Sequence, residues 1–211
     1  MCIMRQRKGD GVFLVFDLGG GTLDIAIAES ISGRVSLLAH GGVAMCGGTD
    51  FDRAILDNII KPWLNSHFTL PEDFSVQPKY KPLLRMCLWA AEKAKIELSS
   101  LEHTTISLSE TDLSLTDDAN HDIYVDIAFT RESLNALIAP RVDDAIQSTR
   151  DTLAKAGLSQ HDVERIVFVG GPTQYKPLRD RVAFELGIAA SSDVNPMTAV
   201  AEGAAVFAES I

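Results

Sequence analysis

Asp17-Leu-Gly-Gly-Gly-Thr-Leu-Asp24 is the stretch of sequence that decides the fold. A β-branched and aromatic apolar run at 12–16 precedes it, and a second extended apolar run at 25–28 follows it. Two strand patterns joined by a glycine turn predict a β-hairpin. Because three successive glycines carry no Cβ, several backbone N–H groups of this turn can point at one anion. The turn is therefore a candidate phosphate-binding loop, with a ligand-free glycine hairpin as the alternative.

Two carboxylates flank the turn and restrict the kind of anion that it can bind. Asp17 and Asp24 would repel a bare phosphate, but a hydrated Mg²⁺ ion between carboxylate and phosphate removes that repulsion. Thr22 adds a hydroxyl group at the same end of the hairpin. The residues thus predict a site for a magnesium-bound polyphosphate.

Neither of the two common phosphate-loop motifs accounts for this turn. The dinucleotide-binding fingerprint needs a third glycine at position 24, where this chain has Asp24, and a helix next in place of a strand. The Gly42–Thr49 stretch misses the Walker A pattern, because Gly48 stands where that motif has its lysine. A phosphate site on a β-hairpin indicates the actin-like ATPase superfold instead.

Composition excludes several classes of function. The 211 residues are 46% hydrophobic and 23% charged, as in ordinary globular proteins, and the formal net charge is −10. An acidic chain lacks the basic stripes that a nucleic-acid backbone requires, and no apolar run approaches the roughly 20 residues of a membrane span. The three cysteines show no metal-binding spacing. We expect a cytoplasmic protein with reduced thiols that binds neither nucleic acid nor membrane.

The chain is predicted to form one α/β subdomain that is interrupted by a smaller α+β insertion. Residues 1–11 are polar and are interpreted as a linker or boundary segment. Residues 12–44 and 130–211 would form the α/β subdomain, and residues 45–129 the insertion.

Helix boundaries follow from capping residues and prolines. One helix is predicted to begin at Thr49-Asp50 and to end or kink at Lys61-Pro62. A long helix is capped by Thr130, contains Pro140 and ends at Gly157. Asn195-Pro196 is predicted to begin a last helix that is rich in small residues.

A helix at 83–98 has two distinct faces. The predicted core face consists of Leu84, Cys87, Leu88, Ala91 and Leu98. A second stripe at i, i+3, i+4 and i+7 consists of Glu92, Lys95, Ile96 and Ser99, and it is free to line a cleft. Trp63 and Trp89 are expected to pack inside the inserted subdomain.

Five motifs in this order resemble those of the heat shock protein 70 (DnaK-type) chaperone family. They are Asp17–Asp24, Gly47-Gly-Thr-Asp-Phe-Asp52, Ala91-Glu-Lys-Ala-Lys-Ile-Glu-Leu-Ser-Ser100, Val169-Gly-Gly-Pro-Thr173 and Asn195-Pro-Met-Thr-Ala-Val-Ala-Glu-Gly-Ala-Ala205. The resemblance covers the second lobe of the family's ATP-binding domain. It implies an actin-like ATPase (ribonuclease H-like) subdomain, lobe IIA, with lobe IIB as the insertion.

The resemblance also implies roles for individual residues. Asp17, Thr22 and Asp24 would be catalytic, with Asp17 and Asp24 holding Mg²⁺ through water or orienting the attacking water. Contacts with ATP or ADP are implied for Gly19, Gly20, Gly21, Thr22, Gly48, Glu92, Lys95, Ile96, Ser99, Gly170, Gly171, Pro172 and Gln174.

The sequence departs from the family pattern at several of these places. The family usually stacks the adenine between two arginines, and here those positions are Ile96 and Gln174, so cation–π stacking is lost on both faces. Pro172 replaces a small polar residue, Thr49 an acidic one, and Met197 another acidic one. These changes identify a divergent member.

The leading hypothesis is that this chain is the second lobe of a chaperone ATPase domain, which couples ATP hydrolysis to peptide binding. Implied partners are lobe I, a peptide-binding domain, unfolded peptides, a J-domain co-chaperone and a nucleotide exchange factor. Because lobe I supplies half of the phosphate cradle, the isolated chain is predicted to be inactive as an ATP hydrolase. The alternatives are an actin-like cytoskeletal ATPase, a small-molecule kinase on the same superfold, and a regulatory module that binds no nucleotide.

Overall fold

The computed structural model describes residues 10–32, 34–192, 195, 197 and 198. These residues form two compact units. The first unit contains the described residues up to Gly48 and those from Ala139 onward, and the second unit is Thr49–Ile138. No helix of the described residues is long and apolar enough to span a lipid bilayer.

The first unit is built on a four-stranded sheet in the order β3-β2-β1-β6. Its strands are β1 (Gly11–Leu18), β2 (Thr22–Ile31), β3 (Arg34–Ala44) and β6 (Val163–Val169). β1 is antiparallel to β2 and parallel to β6, and β2 is antiparallel to β3. The predicted hairpin is therefore present, with its open turn at Gly19–Gly21.

Apolar side chains from the middle strands form the core of the first unit. Leu14 and Phe16 of β1 are buried, and the ring of Phe16 packs edge-on against Phe168 of β6 at 5.5 Å between centroids. The final part of α5 (Arg131–Lys155) lies close to Gly41 of β3. A Cβ added to Gly41 would be only 2.1 Å from the Thr152 hydroxyl oxygen. α6 (Lys176–Leu186) contributes further buried side chains.

Helices dominate the second unit. They are α1 (Gly48–Ile55), which starts at the last residue of the first unit, α2 (Lys61–His67), α3 (Lys81–Glu97), the short α4 (Glu110–Leu113) and the start of α5. A two-stranded antiparallel sheet joins β4 (His103–Leu108) to β5 (Val125–Thr130). Thr130 caps α5 as predicted, since its hydroxyl oxygen accepts the Ser133 N–H at 3.1 Å.

The helix continues past Lys61-Pro62, so of the two predicted alternatives, an end or a kink, the end is wrong. A π-helical turn at Leu56–Ile60 connects α1 directly to α2, in which Pro62 lies in the first turn. Proline is tolerated there because the first N–H groups of a helix need no helical acceptor. The Asn58 side-chain amide also donates to the Ala54 carbonyl at 2.9 Å.

The predicted core face of α3 is rotated in the structure. Its buried residues are Leu83, Cys87, Ala90, Ala91, Ala94 and the following Leu98. Leu84 and Leu88 are half-buried. Trp89 was expected in the core, yet its side chain is exposed, with Lys93 lying 5.7 Å from its ring centroid. The buried face of α3 thus consists mainly of small residues.

Other sequence predictions agree with the structure, differ from it or fall outside the described residues. α4 forms in the acidic, polar segment between β4 and β5, and a capping box at Ser109 and Asp112 explains its start. Pro140 lies within α5, and the helix continues past it to Lys155. Gly11, placed in the linker, already belongs to β1. Residues 1–9 and the predicted last helix from position 199 onward lie outside the described residues.

Asp117 organises the loop between β4 and β5. Its buried carboxylate accepts backbone N–H groups from Thr69 at 2.9 Å, Ala119 at 2.9 Å and His121 at 2.8 Å. Burial by itself raises the pKa of Asp117, but these donors outweigh it and the pKa falls from 3.8 to about 2. The ionised carboxylate therefore stabilises the fold above about pH 4, and that contribution is lost as the pH falls through about 2.

We predict that Asp117→Asn lowers the Tm near neutral pH, because the amide has only one acceptor oxygen for three donors. The deficit should shrink as the pH falls toward about 2, where the wild-type carboxyl is itself protonated. Thermal unfolding across this pH range, with Asp122→Asn as an exposed control in the same loop, measures the effect. A deficit that does not change with pH would contradict this explanation.

Candidate functional site

The turn of the first hairpin presents free backbone donors to solvent. The Gly19 N–H donates to the Thr22 carbonyl at 2.9 Å and closes the turn. Gly20 and Gly21 are exposed, and their N–H groups have no protein acceptor among the described residues. A Cβ added to Gly21 would meet no atom within 4 Å. The turn therefore offers two unpaired donors beside open space, as an anion-binding loop requires.

A second glycine pair packs directly against this turn. The Gly48 N–H donates to the Gly19 carbonyl at 3.0 Å. A Cβ added to Gly47 would be 2.5 Å from the Gly20 carbonyl carbon and 2.6 Å from the Gly21 nitrogen. Only glycine leaves room for two backbone segments at this separation.

A third glycine pair reaches the base of the same hairpin. Gly170 follows β6 with a φ of +91°, and a Cβ there would be 2.1 Å from the Leu18 carbonyl oxygen and 3.4 Å from an Asp17 carboxylate oxygen. The Thr173 hydroxyl donates to the Gly170 carbonyl at 2.7 Å and fixes the turn at 171–174. Three glycine segments distant in sequence thus converge around the end of β1.

Asp17 and Asp24 face one another across the hairpin as directly paired residues. Burial raises the pKa of Asp17, and the negative charge of Asp24 raises it further. The Thr22 hydroxyl donates to Asp24 at 3.3 Å. Two like charges directly opposite destabilise a strand pair, so the hairpin carries an electrostatic cost that a bound cation would relieve.

These residues fit a magnesium ion that arrives with a polyphosphate. No group of three or more His, Cys, Asp or Glu side chains in the described part of the chain could hold a metal ion. Mg²⁺ prefers six oxygen ligands and usually keeps several waters beside one or two carboxylates and substrate phosphates. Asp17 and Asp24 can supply the carboxylates, while the Gly20 and Gly21 N–H groups can bind phosphate oxygens. A bound Mg²⁺ would supply charge neutralisation for phosphoryl transfer.

Within the second unit, the predicted stripe lies on the outer side of α3. Glu92 and Ile96 are exposed, whereas Lys95 and Ser99 are half-buried. The Lys95 ammonium forms an ion pair with Asp52 of α1 at 2.7 Å. The four residues therefore share one accessible face, although Lys95 is already held by a carboxylate.

The structure brings the predicted site residues together within each unit. The first unit groups Asp17, Gly19, Gly20, Gly21, Thr22, Asp24, Gly48, Gly170 and Gly171 around the end of β1. Pro172 and Gln174 lie in the turn that follows, with Gln174 exposed. The second unit holds the α3 stripe of Glu92, Lys95, Ile96 and Ser99.

Sequence reasoning missed three contributors to this geometry. Gly47, the Leu18 carbonyl and Asp52 each contact a predicted site residue. The double glycines at 47–48 and 170–171 were a usable signal, because paired glycines after a strand often mark a close backbone approach. Asp52 carried no comparable signal, since its partner Lys95 is distant in sequence.

A glycine-rich hairpin with paired carboxylates, on a mixed parallel and antiparallel sheet in an α/β chain, is consistent with the actin-like fold. The family described as Hsp70 protein matches residues 3–210. The chain is similar to proteins named Chaperone protein DnaK, being 36% identical over 205 residues to that of Cenarchaeum symbiosum and 35% identical over 206 residues to that of Nitrosopumilus maritimus. A third, from Deinococcus proteolyticus, is 35% identical over 203 residues.

The chain belongs to the Hsp70 family. The alignments cover 97%, 97% and 96% of this chain but only 30%, 31% and 31% of the respective relatives. The chain therefore spans about a third of the length of these chaperones. The predicted family and the predicted mixed α/β fold are both confirmed.

We predict that Gly47→Ala destabilises the protein by about 1–3 kcal/mol, because the added methyl group must displace the Gly20-Gly21 backbone. Gly21→Ala is the matched control, since the same methyl group enters open space. Denaturant unfolding of both variants measures the difference. Equal stability of the two variants would show that the glycine turns do not pack as described.

We predict that Asp24→Asn raises the Tm near neutral pH, because it removes the charge that opposes ionisation of Asp17. Since the folded-state pKa of Asp17 is raised, its ionisation costs stability as the pH rises above about 4. The gain should therefore vanish near about pH 3. Asp126→Asn, whose cross-strand partner is the uncharged Ser107, serves as the control for thermal unfolding. A Tm decrease at neutral pH would contradict the repulsion.

Proposed function

We propose that this chain is the second lobe of the ATPase domain of an Hsp70-family chaperone and that it binds Mg-ATP or Mg-ADP. The observation that carries the proposal is the pair of unpaired N–H groups at Gly20 and Gly21 beside two facing carboxylates. Polyphosphate oxygens would accept those N–H groups, and Asp17 and Asp24 would hold the water shell of Mg²⁺ or orient the attacking water.

Within the second unit, the α3 stripe offers groups that suit a nucleoside. Glu92, Lys95 and Ser99 offer polar groups, and the exposed Ile96 offers an apolar surface. In the first unit, Gly170 and Gly171 carry no side chain, so their backbone can lie close to a ligand. Pro172 and Gln174 follow them in the next turn. Ile96 and Gln174 lack the guanidinium groups that stack on a purine, so the affinity should be modest.

In the whole protein, nucleotide hydrolysis would control a peptide-binding domain by a population shift. Unfolded peptides, a J-domain co-chaperone and a nucleotide exchange factor are the partners that family membership supports. Membership in the Hsp70 family favours this function over a cytoskeletal filament. A cytoplasmic location is part of the same proposal.

We expect calorimetry of the chain to show weak, magnesium-dependent ADP binding. Ile96→Arg should tighten it by about 2- to 30-fold, because a guanidinium over a purine contributes about 0.5–2 kcal/mol. Ile96→Gln is the matched control, being polar and uncharged. Absence of magnesium-dependent binding by both the wild type and Ile96→Arg would contradict the proposed function, while equal affinities of the Arg and Gln variants would contradict the stacking contribution.

A further inference from the structure

The second unit contains an ion pair that is unusually well shielded from solvent. The Lys95 ammonium lies 2.7 Å from an Asp52 carboxylate oxygen, and the two side chains are only 14% and 10% exposed. Lys95 projects from the outer stripe of α3, and Asp52 from the second turn of α1. The contact therefore fixes a long, flexible side chain to a neighbouring helix.

The surroundings of Asp52 are unfavourable for a negative charge. Burial raises the pKa of Asp52, the contact with Lys95 lowers it, and the charges of Glu92 and Asp50 raise it again, with a net increase. One carboxylate oxygen of the buried Asp50 also lacks a hydrogen-bond partner among the described residues. Ionisation of Asp52 therefore carries a cost that its contact with Lys95 only partly offsets.

Stability alone is a poor reason for such a pair. Desolvation of two buried charges commonly offsets their attraction, and well-packed apolar residues are often as stable or more stable in their place. What the pair does provide is geometry, because a lysine that is already ordered loses less conformational entropy when it binds a ligand. The exposed Asp57–Lys61 pair, at 2.6 Å on the continuing helix, provides no such constraint on the α3 stripe.

We propose that Asp52 is a positioning residue that holds the Lys95 ammonium in place for the nucleoside on the α3 stripe. This role rests on the proposed nucleotide binding. Asp52 itself contacts no ligand and acts through Lys95. The pair also explains why Lys95 is half-buried on a stripe whose neighbours Glu92 and Ile96 are exposed.

A double-mutant cycle on ADP affinity tests the proposal. Asp52→Asn and Lys95→Met should each weaken magnesium-dependent ADP binding by about tenfold, and the double variant should bind no more weakly than Lys95→Met alone. Asp52→Glu, which keeps the carboxylate, should restore most of the affinity. Asp57→Asn is the matched control, because it breaks an exposed ion pair in the same unit and should leave the affinity unchanged.

Thermal unfolding of the same variants separates a positioning role from a structural one. Binding is measured well below the Tm of each variant, and the double variant removes both charges of the Asp52–Lys95 pair, so neither charge is left buried without the other. Unchanged ADP affinity in a folded Asp52→Asn variant would overturn the positioning role alone. Additive losses in the double variant would also overturn it. Absence of ADP binding by the wild type would remove both the proposed function and the role of Asp52.

Discussion

The close approach of two backbones, at Gly20-Gly21 and at Gly47, is the constraint on which the candidate site depends. A single methyl group at Gly47 would lie within 2.6 Å of the hairpin turn. Because backbone packs on backbone, the turn is fixed without side chains that would block its N–H groups. Gly170 imposes a similar constraint at the Leu18 carbonyl, at the end of β1. The donors are thus held in place before any ligand binds.

Electrostatics in the first unit oppose the geometry that packing imposes. Burial raises the pKa of Asp17, and the charge of Asp24, which the register places directly opposite, raises it further. A protein selected only for stability would avoid two facing carboxylates. Local conflicts of this kind are expected at functional sites, where binding of a cation recovers the cost. Ile96 and Gln174 carry no guanidinium group, but this departure from the family pattern does not affect the Asp17–Asp24 pair.

The sequence predicts those features of the fold and site that depend on neighbouring residues, and it misses contacts between residues that are distant in sequence. The hairpin at Asp17–Asp24 and the outer stripe of α3 follow from local periodicity, and the structure contains both. The contacts of Gly47 with Gly20 and of Asp52 with Lys95 depend on tertiary packing. The double glycine at 47–48 signals a close backbone approach but not its partner, and Asp52 carries no such signal. The helix does not end at Pro62, because a π-helical turn precedes this residue and places it in the first turn of α2, where no backbone N–H is needed.

The central claim is that the backbone N–H groups of the hairpin turn bind the phosphates of a magnesium nucleotide. Amide NMR of ¹⁵N-labelled protein tests this most directly, by titration with Mg-ADP, with ADP and chelator, and with Mg²⁺ alone. We expect the Gly20 and Gly21 resonances to shift with Mg-ADP and to move much less in the other two titrations. Resonances of Gly20 and Gly21 that stay fixed while ADP binds elsewhere on the chain would contradict the claim.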